Sequence, residues 1–317
     1  MNLRQLRYFL EIAQLRSFTR AAEVLHISQP ALSRQIRAIE EELGSAVFTR
    51  FDRGVTLTQT GELLRDHATD LLKRFDRLRD DVMVCADEPR GDFSVGMPPS
   101  MREMLTVPVL DAYQRKHSSV SLHVHEGISV DLASLVQENK VDCACIIDLS
   151  AHAFTRQEPF ISEQLYIVGP PDSGLDISVP VPLSYLSNKP MVLTSRPNSL
   201  RLVVENALGN ARLPLNPVVD GNSTDMMTGL VSRGLAYSIL PYCAAWKALR
   251  AGTLCAAPIE NLRIDWVLLY PSHRGPSVAT RKFKETLFDV ARSRILSGEW
   301  SGASWSRSPL EHDEPIA

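Results

Sequence analysis

The residues in this chain whose types and spacing suit chemistry best lie between Ser28 and Gly44, in the run SQPALSRQIRAIEEELG. Read as a helix, this run puts Pro30, Ser33, Arg34, Arg37 and Glu41 on one face, with Gln29 flanking. Its first two turns therefore offer amide, hydroxyl and guanidinium groups side by side. Those are the groups that read base edges and phosphates, with Arg to guanine and Gln to adenine the commonest bidentate pairs. The acidic triplet Glu40, Glu41 and Glu42 falls at the far end, so the N-terminal end is the docking end. The same pattern also suits an ordinary amphipathic surface helix, and the flanking elements must decide.

Stepping outward from that face, Ser28 is a good N-cap, and Pro30 sits where a missing N–H costs little. Leu32, Ile36, Ile39 and Leu43 recur at steps of four, three and four and form the apolar face. Before it, Thr19–Leu25 reads as a short helix with paired alanines, and His26-Ile27 leaves only a tight connection. Two helices so joined, the second polar outside, make a helix-turn-helix. Leu3, Leu6, Phe9, Leu10 and Ala13 mark a supporting first helix. After Gly44, Val47–Phe51 and Val55–Thr58 are β-prone runs around Asp52-Arg53-Gly54, a hairpin in which Gly54 supplies positive φ. Arg50 and Arg53 then stand near the hairpin tip, as phosphate or minor-groove contacts or as solvated loop arginines.

Phe18-Thr19-Arg20-Ala21-Ala22, Leu25, Ser28-Gln29-Pro30-Ala31-Leu32-Ser33, Gln35-Ile36, Glu40, Leu43-Gly44, Phe48 and Arg50 together resemble the signature of the LysR-type transcriptional regulators. Ile39 and Val47 stand where leucines are usual, one apolar residue for another. Within that family the Gly96-to-Met101 stretch and the N-terminal spacing look most like the nitrogen- and sulphur-assimilation branch. The resemblance implies a sequence-specific regulator modulated by a small-molecule effector, with no cofactor. It also implies pairing through a linker helix into dimers and then homotetramers, which bend double-stranded DNA at an interrupted inverted repeat. An activator of this kind would further contact RNA polymerase.

At 317 residues the chain exceeds one ordinary core. Its 44% hydrophobic and 22% charged content is that of a globular protein. The net charge is 34 − 37 = −3, yet residues 1–60 hold eight Arg, no Lys and six acids, a local +2. Arginine without lysine fits planar readout of phosphate and guanine. The five cysteines form no zinc spacing and no even disulfide framework; Cys143 and Cys145 read as a buried reduced pair. No cleavage site follows the N-terminus and no apolar run approaches a membrane span, so the expected location is the cytoplasm.

Thr58 is a plausible cap for a long helix to about Ala86. Leu64, Ala68, Leu71, Phe75, Leu78 and Val82 repeat at steps of four and three, the period of a coiled-coil seam. Residues 59–86 are therefore read as a linker and dimerisation helix after a winged helix-turn-helix domain, 1–58. A polar hinge, 87–91, follows. From 92 to 297 strand-like runs (93–96, 120–125, 141–147, 166–169, 191–194, 217–220, 235–240 and 265–270) alternate with helical ones (101–116, 130–139, 199–210, 223–233 and 276–296). The late strand at Asp265–Tyr270 suits two α/β subdomains, 92–162 with 265–297 and 163–264. This is the periplasmic-binding-protein-like effector domain that the resemblance implies. From Gly298 to Ala317 the composition reads as a flexible tail.

Open α/β sheets bind ligands at the carboxyl ends of their strands. Ser100, Ser129, Asn198, Ser199 and Thr224 fall at four such junctions and would surround a small polar ligand between the subdomains, though each is also a natural helix cap. Ser100 and Thr224 sit at helix starts on opposite subdomains, where one molecule could bridge both. Asp148, at the end of the 141–147 strand, stands near where the family places a ligand contact. A carboxylate there opposes an anionic effector unless Arg196 or Arg201 offsets it. His123 and His125 share a strand face and read as polar-face residues, with no third ligand for a metal. The alternatives are a regulator without an effector, an enzyme on the α/β portion, or a transport component. Against the enzyme stand the missing nucleophile elbow and phosphate loop; against the transporter stands the missing signal peptide.

Overall fold

The computed structural model describes residues 1–51, 54–82, 88–148, 155–272 and 275–306. The chain divides by its internal contacts into a first unit, Met1–Ala86, and a second, Asp87–Ala317.

In the first unit α1 (Leu3–Leu15) starts at a reciprocal cap, Asn2 Oδ1 accepting from the Gln5 amide at 3.0 Å and Gln5 Oε1 from the Asn2 amide at 2.9 Å. Then come α2 (Phe18–Val24) and α3 (Gln29–Leu43). An antiparallel hairpin follows, β1 (Phe48–Phe51) with β2 (Gly54–Leu57), and after it α4 (Gln59–Val82). Phe9, Ile12, Ala21, Leu32, Ile36, Ile39 and Val47 are shut from water in one core, where the Phe48 ring meets Phe9 at 5.2 Å and Phe18 at 5.7 Å. Gly54 takes φ +143°, and a Cβ there would lie 2.8 Å from the Arg16 carbonyl. That same carbonyl accepts the Val55 amide, so the hairpin is tied to the end of α1.

Two expectations for this unit change. Leu43 is 40% exposed, because Gly44 turns left-handed and ends α3 before its last turn reaches the core. On α4, Leu64 and Ala68 do not stand free as a seam. With Leu72 they pack against Leu3, Leu6 and Leu10 of α1, while Leu71 and Phe75 remain 48% and 42% exposed. The side chains of Leu78 and Val82 lie outside the described residues.

The second unit holds one sheet in the order β4-β3-β5-β10-β6-β9-β7-β8. Its strands are β3 (Gly91–Met97), β4 (Val120–Glu126), β5 (Cys143–Ile147), β6 (Thr155–Gly169), β7 (Pro190–Leu193), β8 (Asn216–Asp220), β9 (Tyr237–Pro241) and β10 (Cys255–Pro271). β3 is parallel to β4 and β5, and β7 is parallel to β8 and β9. Between these two parallel lobes run the long strands β6 and β10, antiparallel to each other and shifting register between Pro258 and Arg263. Each lobe carries crossover helices, α5 (Val107–Lys116) and α6 (Ser129–Gln137) in the first, α7 (Ser199–Asn210) and α8 (Thr224–Ser232) in the second. α9 (Tyr242–Arg250) follows β9, and α10 (Val278–Leu296) packs back on the first lobe, its Phe283 ring 5.0 Å from Phe93 and 5.6 Å from Tyr113. Before α5 the backbone makes a 3₁₀ turn, Pro99–Met101, and a π turn, Arg102–Thr106. Pro108, which has no N–H to donate, stands in the first turn of α5 directly after it.

The expected flexible tail is corrected over its described part. Ala303–Trp305 forms β11 against Ile161–Glu163 of β6, and Trp300 is 1% exposed. The Trp300 indole donates to Glu163 Oε1 at 2.7 Å, and the opposite oxygen accepts the Trp266 indole at 2.6 Å. The Cys243 amide adds a third bond at 2.9 Å. Burial pushes the Glu163 carboxyl up from its ordinary value, and these donors partly offset it. Residues 307–317 lie outside the described residues. Cys143 and Cys145 are buried free thiols whose pKa values burial raises.

Candidate functional site

On α3 the Ser28 hydroxyl accepts from the Ala31 amide at 3.4 Å and Pro30 occupies the first turn, so the helix start is fixed by sequence alone. With Leu32, Ile36 and Ile39 sealed in the core, the remaining face looks outward. Pro30, Arg34 and Arg37 are exposed, and Gln29 and Ser33 are half-buried. Gln29 Nε2 donates to Ser33 Oγ at 3.0 Å, which orients the amide along the helix. Near this face the Arg50 guanidinium lies 4.6 Å over the Phe18 ring, so its plane is braced by α2 rather than loose in solvent. Arg53 lies outside the described residues. Glu40, one of the signature residues and part of the acidic end, accepts the Val47 amide at 3.0 Å and anchors the turn into the hairpin.

In the second unit the parallel strands of both lobes end on one cavity of about 50 Å³. Pro98-Pro99-Ser100 after β3, Gly127-Ile128-Ser129 after β4 and Ile147 at the end of β5 line it from one lobe. Thr194 and Asn198 after β7, Asn222 and Thr224 after β8, Pro241 at the end of β9 and Ala244 after it line it from the other, together with Trp266 of β10. Four of the residues expected from sequence, Ser100, Ser129, Asn198 and Thr224, thus converge here.

Two do not. Ser199 is 1% exposed and outside the lining, because it is the first residue of α7 and turns into the lobe. Asp148 is exposed and also outside the lining; its amide donates to the Asp265 carbonyl at 2.8 Å, continuing the β5–β10 ladder outward. Arg196 and Arg201, named as its counter-charges, both hold Glu205, at 2.7 and 2.6 Å, and Arg201 also meets Asp220 at 2.7 Å. Burial acts to lower the Arg201 pKa, but the carboxylates of Glu205 and Asp220 outweigh it and leave it raised.

The polar atoms at the cavity fall into two sets. Ser129 Oγ already accepts the Ile147 amide at 3.0 Å, and Asn198 Oδ1 caps α7 through the Leu200 amide at 2.9 Å. Asn222 Oδ1 accepts from the Ser195 amide at 3.1 Å and from Asn198 Nδ2 at 3.2 Å. The hydroxyls of Ser100 and Thr224, on opposite lobes, have no hydrogen-bonded partner among the described residues. No lining side chain is ionisable. Asn222, Thr194 and Trp266 were not singled out from sequence. Asn222 had a usable signal, a short polar residue directly after a strand; Trp266 is one apolar residue within a long strand and had none. His123 and His125 sit exposed on the edge strand β4, His123 Nε2 3.4 Å from Asp92, and among the described residues no group of three ligating side chains could hold a metal. No helix among them is long and apolar enough to cross a membrane.

Comparison with known proteins places these two sites in a common frame. Residues 86–292 match the family model described as LysR substrate binding domain, and residues 3–62 match the bacterial regulatory helix-turn-helix protein, lysR family. The nitrogen assimilation regulatory protein nac of Klebsiella aerogenes is 30% identical over 293 residues, covering 92% of this chain and 95% of that protein. Its namesake in Escherichia coli K12 is 28% identical over 300 residues, covering 93% and 97%. Among solved structures, full-length OxyR from Pseudomonas aeruginosa superposes with a TM-score of 0.66 at 22% identity, covering 98% of this chain and 99% of that one. Full-length CbnR in complex with its target DNA gives 0.66 at 20% identity, covering 92% and 100%.

Proposed function

This chain belongs to the LysR family of transcriptional regulators, and we propose that it reads its operator with the outer face of α3 and takes its effector in the cavity between the two lobes. Arg34 reads a base edge; Gln29, Pro30, Ser33 and Arg37 shape the same contact, and Arg50 and Arg53 hold phosphates. Ser100 and Thr224 bridge a small ligand, with Ser129 and Asn198 beside it. The observation that carries the reading is α3 itself: its apolar face is sealed in the core and its cationic face is exposed. The likeness to the nitrogen assimilation regulatory proteins supports a place in that branch of the family. Work on chromosomal DNA puts the protein in the cytoplasm, as a dimer or higher oligomer joined through α4.

The test is selection of duplexes from a random-sequence pool by the full-length protein, then footprinting of the selected site against a library of small polar metabolites. An interrupted inverted repeat is expected, together with a metabolite that alters the footprint of the wild type and not that of Thr224→Phe. A pool that yields no common sequence removes the reading.

A further inference from the structure

The inner cavity is small. A single water needs about 10–15 Å³ of such space, and ligand pockets usually span about 300–1,000 Å³. At about 50 Å³ the inner cavity therefore holds only the end of a ligand. Beside it, sharing Pro99, Ser100, Asn222, Thr224 and Ala244 as a common wall, lies a second cavity of about 500 Å³.

The outer wall differs in chemistry from the inner one. Arg102 and Glu103 enter it from the π turn after β3, Asp225 from the first turn of α8, and Lys247 from α9. Glu126 grips Arg102 through two bonds of 2.8 and 2.6 Å, and those bonds hold the Glu126 carboxyl below its ordinary pKa. The ion pairs between segments are looser: Arg102 to Asp225 is 3.8 Å and Lys247 to Glu103 is 3.5 Å. The Asp225 and Lys247 side chains are 89% and 77% exposed, so these contacts are weak and easily exchanged. The amides of Thr224 and Asp225 open α8, where no carbonyl within the helix can reach them.

We propose that the two cavities form one site for a small zwitterion, a molecule with an ammonium and a carboxylate at one end and an uncharged polar tail, as in an amino acid. The carboxylate lies between Lys247 and the first amides of α8. The ammonium meets Glu103 and Asp225. The tail passes Ser100 and Thr224 into the inner cavity. A dicarboxylate would put charge against Glu103 or Asp225, and a diamine against Arg102 or Lys247; only a bipolar head satisfies both signs. The assignment rests on the reading of the inner cavity as the effector site.

The experiment is calorimetric titration of the full-length protein with each protein amino acid, alongside its N-acetyl derivative, which keeps only the anion, and its carboxamide, which keeps only the cation. Acetamide and urea serve as uncharged probes. At least one amino acid is expected to bind saturably, with both derivatives at least about tenfold weaker. Lys247→Glu and Glu103→Lys should each weaken it about tenfold, and the double exchange should recover part of the loss. Ile128→Trp, which fills the inner cavity, should abolish it. No binding by any amino acid, equal binding by the derivatives, or indifference to both charge reversals overturns the proposal. If only acetamide or urea binds and Ile128→Trp removes it, the inner cavity stands as a ligand site and the zwitterion fails. If an amino acid binds as well to Ile128→Trp as to the wild type, the single continuous site fails.

Discussion

The two candidate sites differ in how they handle charge. On α3, Arg34 and Arg37 stand in solvent on a helix whose other face is core. In the inner cavity no lining side chain is ionisable, and its polar groups are hydroxyls, side-chain amides and one indole, several of them on residues at helix starts. Each arrangement suits the partner proposed for it. A duplex is a polyanion approached from outside, and exposed guanidinium groups bind it through contact and counterion release. A small molecule must be stripped of water on entry, where an unpaired buried charge costs far more than a neutral hydroxyl or amide. Charge returns only in the outer cavity, where exposure makes it cheap to rearrange.

The contrast is sharpest where each unit can be damaged without the other. The largest effect is expected from Phe75→Asp, on the exposed stripe of α4. If that stripe is the dimer seam, a carboxylate buried there costs several kcal/mol. The dimer constant should then rise about a hundredfold or more. Sedimentation equilibrium should show monomers whose two units are folded; an intact dimer would place the interface elsewhere. Next comes Glu163→Gln. Its amide would face N–H donors now satisfied by a carboxylate, at an expected cost of roughly 1–3 kcal/mol. Calorimetry should show the α/β unit melting earlier with the helix-turn-helix unit unchanged. Equal shifts in both units would mean that the two do not behave separately. The smallest effect is Ser28→Ala, which removes the cap of α3 at about 1 kcal/mol. That loss should appear in the helix-turn-helix unit alone.

The same contrast explains what could be read in advance. The α3 face is contiguous, so its cap, apolar steps and terminal glycine all lie within Ser28–Gly44, and all but the exposed Leu43 are found in place. The cavity is assembled by sheet order from segments more than a hundred residues apart. Local junction signals found Ser100, Ser129, Asn198 and Thr224, but they could not separate a lining residue from its neighbour. Ser199, one step on from Asn198, turns into the lobe instead. Asp148 continues a strand outward for the same reason. Trp300 read as tail because its reason for order is Glu163, a partner far away in sequence. The α4 stripe divides: Leu64 and Ala68, with Leu72, belong to the unit's own core beside α1, and Leu71 and Phe75 lie beyond it. α9 was not foreseen, because Pro241 and the short run after it gave no long apolar period.

Whether α3 reads sequence is measured most directly by the affinity of Arg34→Ala for the selected operator and for random duplex at one salt concentration. Loss of one bidentate base contact predicts a fall of about 1–3 kcal/mol on the operator, a small change on random DNA, and relaxed preference at one base pair of each half-site. Equal losses on both duplexes would make Arg34 a phosphate contact and contradict the assignment of sequence reading to this face.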